Sequence, residues 1–354
     1  MPLETPSWWY GKRGSLAKVT LAKVMPALLS PVAALYGRSA ASRLARDPEY
    51  RSRLPVICVG NFTSGGGGKT PTAIALAGLL KALGRTPAFL TRGYGGSLKE
   101  TIQVAGHDAS EVGDEALLLA ETAPTFMSAD RPAGAKAIEQ TDADVIVMDD
   151  GFQNPGLAKD LSLIVVDAGS GLGNGKVIPA GPLRAPLEVQ IPHADALLII
   201  GEGKKGDALI KRFEAAGKPA LRAKIAPNCD PRWLTVLPTI GFAGIARPSK
   251  FFATLKSNGA RLVANHGFGD HHRFTEKEAR RLLDEAEAKK EMLVTTEKDW
   301  ARLTEDADDE EESAVAELKK RSRPFPIVIA FDDEEAVKAL LAETLENASS
   351  KLAG

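Results

Sequence analysis

The chain has 354 residues, 44% hydrophobic and 26% charged, an ordinary globular composition with length enough for two domains. Lys and Arg number 45 against 46 Asp and Glu, and a formal net charge of −1 excludes general polyelectrolyte attraction to nucleic acid. Two isolated cysteines, Cys58 and Cys229, stand in no metal-ligating spacing, which fits a reducing compartment and buried thiols.

Residues 1–50 differ from the rest. Trp8, Trp9 and Tyr10 sit together, followed by the cations Lys12, Arg13, Lys18 and Lys23. Leu21, Val24, Met25, Leu28, Val32, Leu35 and Tyr36 then recur at helical spacing. No apolar stretch with a small-residue cleavage site marks a secretory signal. Lys23, Pro26 and Pro31 interrupt the tract too often for a spanning helix. Aromatic rings beside cations and an apolar stripe suit a membrane interface. The same pattern also suits an amphipathic helix packed on its own domain.

From residue 54 strands and helices alternate. LPVICVG is a short apolar strand, Lys69–Leu83 a helix ended by Gly84, and TPAFLTR a second strand. A helix begins at Gly113, ADVIVMDD (143–150) is a buried strand, and LSLIVVDA (161–168) is the next, before a long Gly/Pro-rich loop. ADALLII, KPALRAKIA, LTVLPTIGFAGI, RLVANHGF, EMLVTTEKDW and FPIVIAF continue the pattern, and a last helix starts at Asp332. The acidic run at 305–312 reads as a solvated loop. Such alternation predicts an α/β architecture with a largely parallel sheet. The expected organisation is an interfacial segment at 1–50, a core at 51–160 completed by 331–354, and a second, smaller α/β lobe at 161–330.

The stretch VGNFTSGGGGKTPT (59–72) sets four glycines before Lys69 and Thr70, between a strand and a helix. These are the parts of a phosphate-binding P-loop. Its bare amides, with the helix N-terminus, wrap phosphate oxygens that any Cβ would hold away. The first glycine of the usual pattern would fall at Thr63, and glycine stands instead at Gly60, Gly65, Gly66, Gly67 and Gly68. The candidate nucleotide site is therefore Thr63, Ser64, Gly65, Gly66, Gly67, Gly68, Lys69 and Thr70. Asp149 and Asp150 close another buried strand, where a carboxylate can serve Mg²⁺ together with the Thr70 hydroxyl. Adjacent strand residues point to opposite sides, so the two carboxylates should do different jobs.

No guanine-recognition motif is present, since Thr296-Glu297-Lys298-Asp299 has the wrong spacing. Ser64 replaces the leading lysine of partitioning-type ATPases. Both absences favour a small-molecule kinase. Such an enzyme needs a group to take or orient the acceptor proton, and Asp114 is a candidate, with Glu115 beside it, although both would also stabilise a helix N-terminus. His271 and His272, in GDHHRF, form the densest histidine cluster.

Together VGNFTSGGGGKTP, LTRGYGG, VGDEALLLA, VMDDGFQ, GNGKVIPAGPLR, GFGDHHRF and TTEKDW resemble the tetraacyldisaccharide 4′-kinase (lipid A 4′-kinase) family, in order from residue 59 to 300. The resemblance implies a P-loop fold and γ-phosphoryl transfer from Mg·ATP to the 4′-hydroxyl of a tetraacylated glucosamine disaccharide 1-phosphate. It implies work at the cytoplasmic face of the Gram-negative inner membrane, with the basic-aromatic N-terminus as anchor, and needs neither nucleic acid nor an obligate protein partner. By position Lys69 and Thr70 match the phosphate and Mg²⁺ residues, Asp149 and Asp150 the strand-end carboxylates, Asp114 the proposed base and His271 its partner. Arg92 and Arg184 match residues that meet phosphates. One position departs: after GPLR the family usually has Glu, and here stands Ala185, with Glu188 nearby. The alternatives are a P-loop kinase with a soluble acceptor, or a metallochaperone-like NTPase, which would want a Cys/His metal spacing that this chain lacks.

Overall fold

A computed structural model describes residues 6–10, 24–65, 67–303 and 313–353. Gly66, the cations Lys12, Arg13, Lys18 and Lys23, Leu21 and the acidic run at 305–312 lie outside the described residues.

Thirteen strands are described: β1 (Val56–Gly60), β2 (Pro87–Thr91), β3 (Ile102–Gln103), β4 (Thr125–Met127), β5 (Val145–Asp149), β6 (Leu161–Asp167), β7 (Ala196–Ile200), β8 (Ala220–Pro227), β9 (Thr239–Ala243), β10 (Leu262–Gly267), β11 (Met292–Thr295), β12 (Ser322–Pro324) and β13 (Ile327–Phe331). Nine form one sheet in the order β13-β8-β7-β6-β1-β5-β2-β4-β3, antiparallel only at its two edge pairs. The other four form a parallel sheet, β10-β9-β11-β12.

The central strands β1, β5, β6 and β7 are buried along their whole length, because helices cover both faces. Alternate residues therefore feed two cores. Ile57, Val59, Val145 and Val147 pack against Leu76 and Leu80 of the Lys69–Ala82 helix on one face. Val56, Cys58, Ile146 and Met148 join Phe62, Phe152 and Phe213 on the other.

The lobe boundary expected at residue 161 is corrected. β6 pairs directly with β1, β7 with β6, and β8 with β7, so residues 161–227 extend the first sheet. β13 returns antiparallel onto β8. The second lobe is the smaller sheet and its helices, inserted between β8 and β13, with its own cores around Phe242, Leu282 and Leu318, and around Leu255, Val294 and Phe325.

The N-terminal region is both packed and exposed. In the Ser30–Leu44 helix, Ala33, Gly37, Ala40 and Leu44 are buried at spacings of four, three and four. Gly37 lets the helix approach Pro186 and Val177, which an added Cβ would meet at 3.5 and 3.7 Å. Val24, Leu28, Val32 and Leu35 remain exposed on the opposite side. One face is thus that of a helix packed on its own domain, and the other leaves an apolar stripe exposed. The expectation for Trp8, Trp9 and Tyr10 needs correction, because part of this group docks on the protein. Trp9 Nε1 donates to Pro179 O at 3.1 Å, its carbonyl accepts from Asn174 N at 2.7 Å, and Tyr10 Oη reaches Ser64 O at 3.4 Å. Among the described residues no helix is long and apolar enough to cross a membrane.

Candidate active site

Lys69, Thr70, Arg92, Asp149 and Asp150 gather at the carboxyl ends of β1, β2 and β5, where an open parallel sheet leaves its crevice. The loop after β1 is held from outside: Ser64 N donates to Pro182 O (2.8 Å), and Thr63 O accepts from Arg184 Nε (3.2 Å). Gly65 and Gly68 have φ of +102° and +88°, a region that only glycine enters freely. At Gly68 a Cβ would also lie 2.6 Å from Ile200. The glycines thus serve the loop's own turn and its packing. Lys69 and Thr70 open the following helix, with Thr70 buried.

Asp149 and Asp150 do take different roles. Asp149 is buried, and neither carboxylate oxygen completes a hydrogen bond. Burial, with Glu115 nearby, pushes its carboxyl up to about 7, although Lys69 and the adjacent Thr70 hydroxyl favour the charged form. A buried, unpartnered carboxylate beside a threonine hydroxyl fits a divalent cation of the Mg²⁺ type, which keeps waters and takes only one or two protein ligands. Among the described residues there is no group of three or more His, Cys, Asp or Glu that could hold a metal ion. Asp150, just past the strand at φ 54°, turns away. It binds Arg184 through two 2.8 Å bonds and faces Lys69 at 3.5 Å. Burial would raise its carboxyl, and Lys69 and Arg184 more than reverse that, holding it well below the usual carboxylate range. In this geometry Asp150 steers Lys69 and Arg184 instead of presenting a free carboxylate to a metal.

Asp114 and His271 come from different lobes and meet. His271 Nδ1 lies 3.3 Å from Asp114 Oδ1. Asp114 opens the helix Asp114–Ala120, behind Gly113, whose φ is 85° and whose missing Cβ would lie 2.4 Å from Tyr94 O. That close approach ties the LTRGYGG loop to the dyad, and the Tyr94 ring stands 5.3 Å from the His271 ring. Burial would raise the Asp114 carboxyl, but the His271 hydrogen bond, Lys298 and Arg302 hold it well below its usual range. The same hydrogen bond raises His271, against the opposing effect of burial. His272 has no part in this: it stacks on Phe268 at 4.7 Å and bonds Glu278 at 3.0 Å.

One cavity of about 1250 Å³ joins these parts. Lys69, Asp149, Asp150, Arg92, Tyr94 and His271 line it, and it extends to Trp9, Leu29 and Tyr36 at the N-terminal segment. Asp114 is not on its wall. Ala185, where the resemblance led to the expectation of Glu, is fully buried against Ala40 and Leu44 in an apolar contact with the Ser30–Leu44 helix. Glu188 does not replace that carboxylate, since it pairs with Arg212 and stands off the cavity.

The model of the tetraacyldisaccharide-1-P 4′-kinase family matches residues 25–346. The chain belongs to the tetraacyldisaccharide-1-phosphate 4′-kinase family. A tetraacyldisaccharide 4′-kinase of Methylobacterium sp. (strain 4-46) is 49% identical over 97% of this chain and 98% of its own length. One from Bradyrhizobium sp. (strain ORS 278) is 46% identical over 91% and 94%. In solved structures, LpxK from Aquifex aeolicus in complex with ATP superposes with a TM-score of 0.68 at 25% identity, covering 91% of this chain and all of that one.

For this 4′-kinase family member the sequence reading missed several contributors. Arg302 binds Asp114, Lys298 binds Glu115 at 2.6 Å, and Arg131 donates to Asp150 O at 2.7 Å. Lys298 and Arg302 sit four apart on one helix, a spacing that places both on one face and was the available signal.

Proposed function

We propose that this chain transfers the γ-phosphoryl group of ATP to the 4′-hydroxyl of a tetraacylated glucosamine disaccharide 1-phosphate, at the cytoplasmic surface of a Gram-negative inner membrane. The carrying observation is the single cavity that runs from the P-loop past His271 to an apolar N-terminal helix. It offers a phosphate cradle, a proton acceptor and an acyl-compatible wall in one continuous space.

The amides of Gly67, Gly68 and Lys69 and the Lys69 ammonium bind the phosphates. Asp150 and Arg184 hold Lys69 and the loop in place. Thr70 and Asp149 would hold Mg²⁺, which when bound would neutralise charge on the phosphate oxygens. Arg92, exposed in the cavity, meets phosphate oxygens. The base role expected of Asp114 passes in this reading to His271, because His271 lines the cavity and Asp114 does not; Asp114 stands behind it as the counter-charge that orients the ring and favours its protonated form. Positioning and electrostatics supply most of the acceleration in such transfers. The exposed stripe Val24, Leu28, Val32 and Leu35 keeps the enzyme at the bilayer, where the acyl chains remain while the sugar enters the site.

The test is transfer of radiolabel from ATP to the disaccharide 1-phosphate lipid in mixed micelles. Lys69→Ala should lower kcat by roughly 10²–10³-fold, and Asp114→Asn by roughly 10²–10⁴-fold. Absence of lipid phosphorylation by the folded parent chain would refute the assignment.

A further inference from the structure

The acceptor-side dyad is held by a second layer of charge that crosses the lobe interface. Arg302, at the end of the Glu297–Arg302 helix, is 6% exposed, and Asp114 is 4% exposed. Its Nη2 donates to Asp114 Oδ2 at 2.8 Å, and Nε reaches the same oxygen at 3.3 Å. Nη1 donates to Gly244 O at 2.9 Å and to Asp299 Oδ1 at 2.8 Å. All three guanidinium nitrogens are therefore used within the protein, and Arg302 is absent from the cavity wall. It has no free edge with which to bind a phosphate.

Asp299 is itself fixed. Its Oδ1 also accepts from Gly244 N at 3.0 Å, and its Oδ2 accepts from the Thr296 hydroxyl at 2.6 Å. Gly244 lies under both the helix and the histidine loop: a Cβ there would stand 2.9 Å from His272 Cβ and 3.0 Å from Asp299 Oδ1. The loop that carries His271 and the helix that carries Arg302 thus rest on one point and converge on one carboxylate of the other lobe.

We propose that Arg302 is the positioning residue of the acceptor site: its guanidinium occupies one oxygen of Asp114, leaves the other to His271 Nδ1, and so aims His271 Nε2 at the acceptor hydroxyl. This rests on the kinase reading above. The hydroxyl proton passes to Nε2, the hydroxyl oxygen bonds the γ-phosphorus, and the bond from that phosphorus to the β,γ-bridging oxygen breaks, releasing ADP. Asp114 stays ionised throughout, because Arg302, Lys298 and the imidazole all favour its charged form. The charged groups around His271 are Asp114, Asp270 and Arg302, and only Arg302 opposes imidazole protonation.

The experiment compares Arg302→Gln and Arg302→Lys with the parent chain, each checked for folding by near-UV circular dichroism. Arg302→Gln removes the opposing cation, so the acidic limb of kcat/KM should move to higher pH by about one unit. Arg302→Lys keeps the charge and loses the two-pronged geometry, so kcat should fall at least about tenfold with the limb unmoved. The KM for ATP should change less than about threefold in both, since Arg302 touches no nucleotide. A residue needed only for packing would leave the limb where it is in both variants. A folded Arg302→Gln protein with the parental limb overturns the proposal, and so does Arg302→Lys with parental kcat. If Arg302→Gln does not fold, the Arg302→Lys kcat decides. If the parent chain phosphorylates no lipid, the kinase reading fails separately. His271 titration by NMR of its imidazole carbons then still tests Arg302, since it needs no substrate: an unshifted titration in Arg302→Gln overturns the proposal.

Discussion

Replacing Leu28, Val32 and Leu35 together by serine should release the protein from lipid vesicles without harming the catalytic centre. These side chains are 67%, 54% and 68% exposed, and none of them lines the cavity. Full burial of a leucine or valine is worth about 1.5–3 kcal/mol relative to exposure. Three side chains with over half their surface still to bury therefore offer about 3 kcal/mol, taking the lower end because an interface buries only one face. That equals roughly a 10²-fold change in partition coefficient. The assay is flotation on vesicles containing anionic phospholipid, with the fraction bound measured against lipid concentration. The KM for vesicle-borne acceptor should rise with it, while kcat in detergent micelles and the KM for ATP stay near parental values. Partitioning within threefold of the parent would show that this stripe does not enter the bilayer boundary.

Asp149→Asn should abolish Mg·ATP-dependent turnover and yet stabilise the ligand-free protein in a pH-dependent way. With its carboxyl pushed up to about 7, against the ordinary 3.8, burying Asp149 costs about 2 kcal/mol at pH 5, where the fold keeps a proton that the unfolded chain releases, and about 4 kcal/mol at pH 8, where the buried group is charged. The sign follows from a raised folded-state pKa: the parent's stability is full below pH 4 and declines as pH rises through 7. Urea unfolding at the two pH values measures the gap between variant and parent, and a gap that does not widen with pH contradicts the buried-carboxylate account. Gly113→Ala puts a Cβ 2.4 Å from Tyr94 O at φ 85°, and should cost about 2 kcal/mol or more while lowering kcat through the displaced Asp114. Thermal unfolding with initial rates tests both, and an unaltered kcat would separate the loop contact from catalysis.

The phosphate cradle was legible because its parts are contiguous: strand, glycines, Lys69, Thr70 and helix follow one another along the chain. The paired aspartates were legible for the same reason, and their division of labour followed from strand geometry. What sequence could not supply was long-range pairing. β6 looks no different whether it starts a second lobe or flanks β1, and only its register with residues 57–60 decides. Arg302 reaches Asp114 across 188 positions, so its helical spacing from Lys298 could mark it as sharing a face but could not name its partner. Trp9 and Tyr10 have the composition of an interfacial anchor, but backbone carbonyls at Pro179 and Ser64 claim their polar tips. Ala185 was legible as a departure, and the apolar contact that replaces a carboxylate there was not.

The second lobe is a single excursion from the first sheet. The chain leaves the first sheet after β8 and re-enters at β13, and the two crossings are side by side, with Asn228 N bonded to Pro326 O at 2.9 Å. Residues 229–325 contribute no strand to the first sheet, whose ladders are all made by residues outside that span. His271, Lys298 and Arg302 all lie within this one excursion, so any shift of the inserted lobe carries the three together relative to Asp114 and the glycine loop.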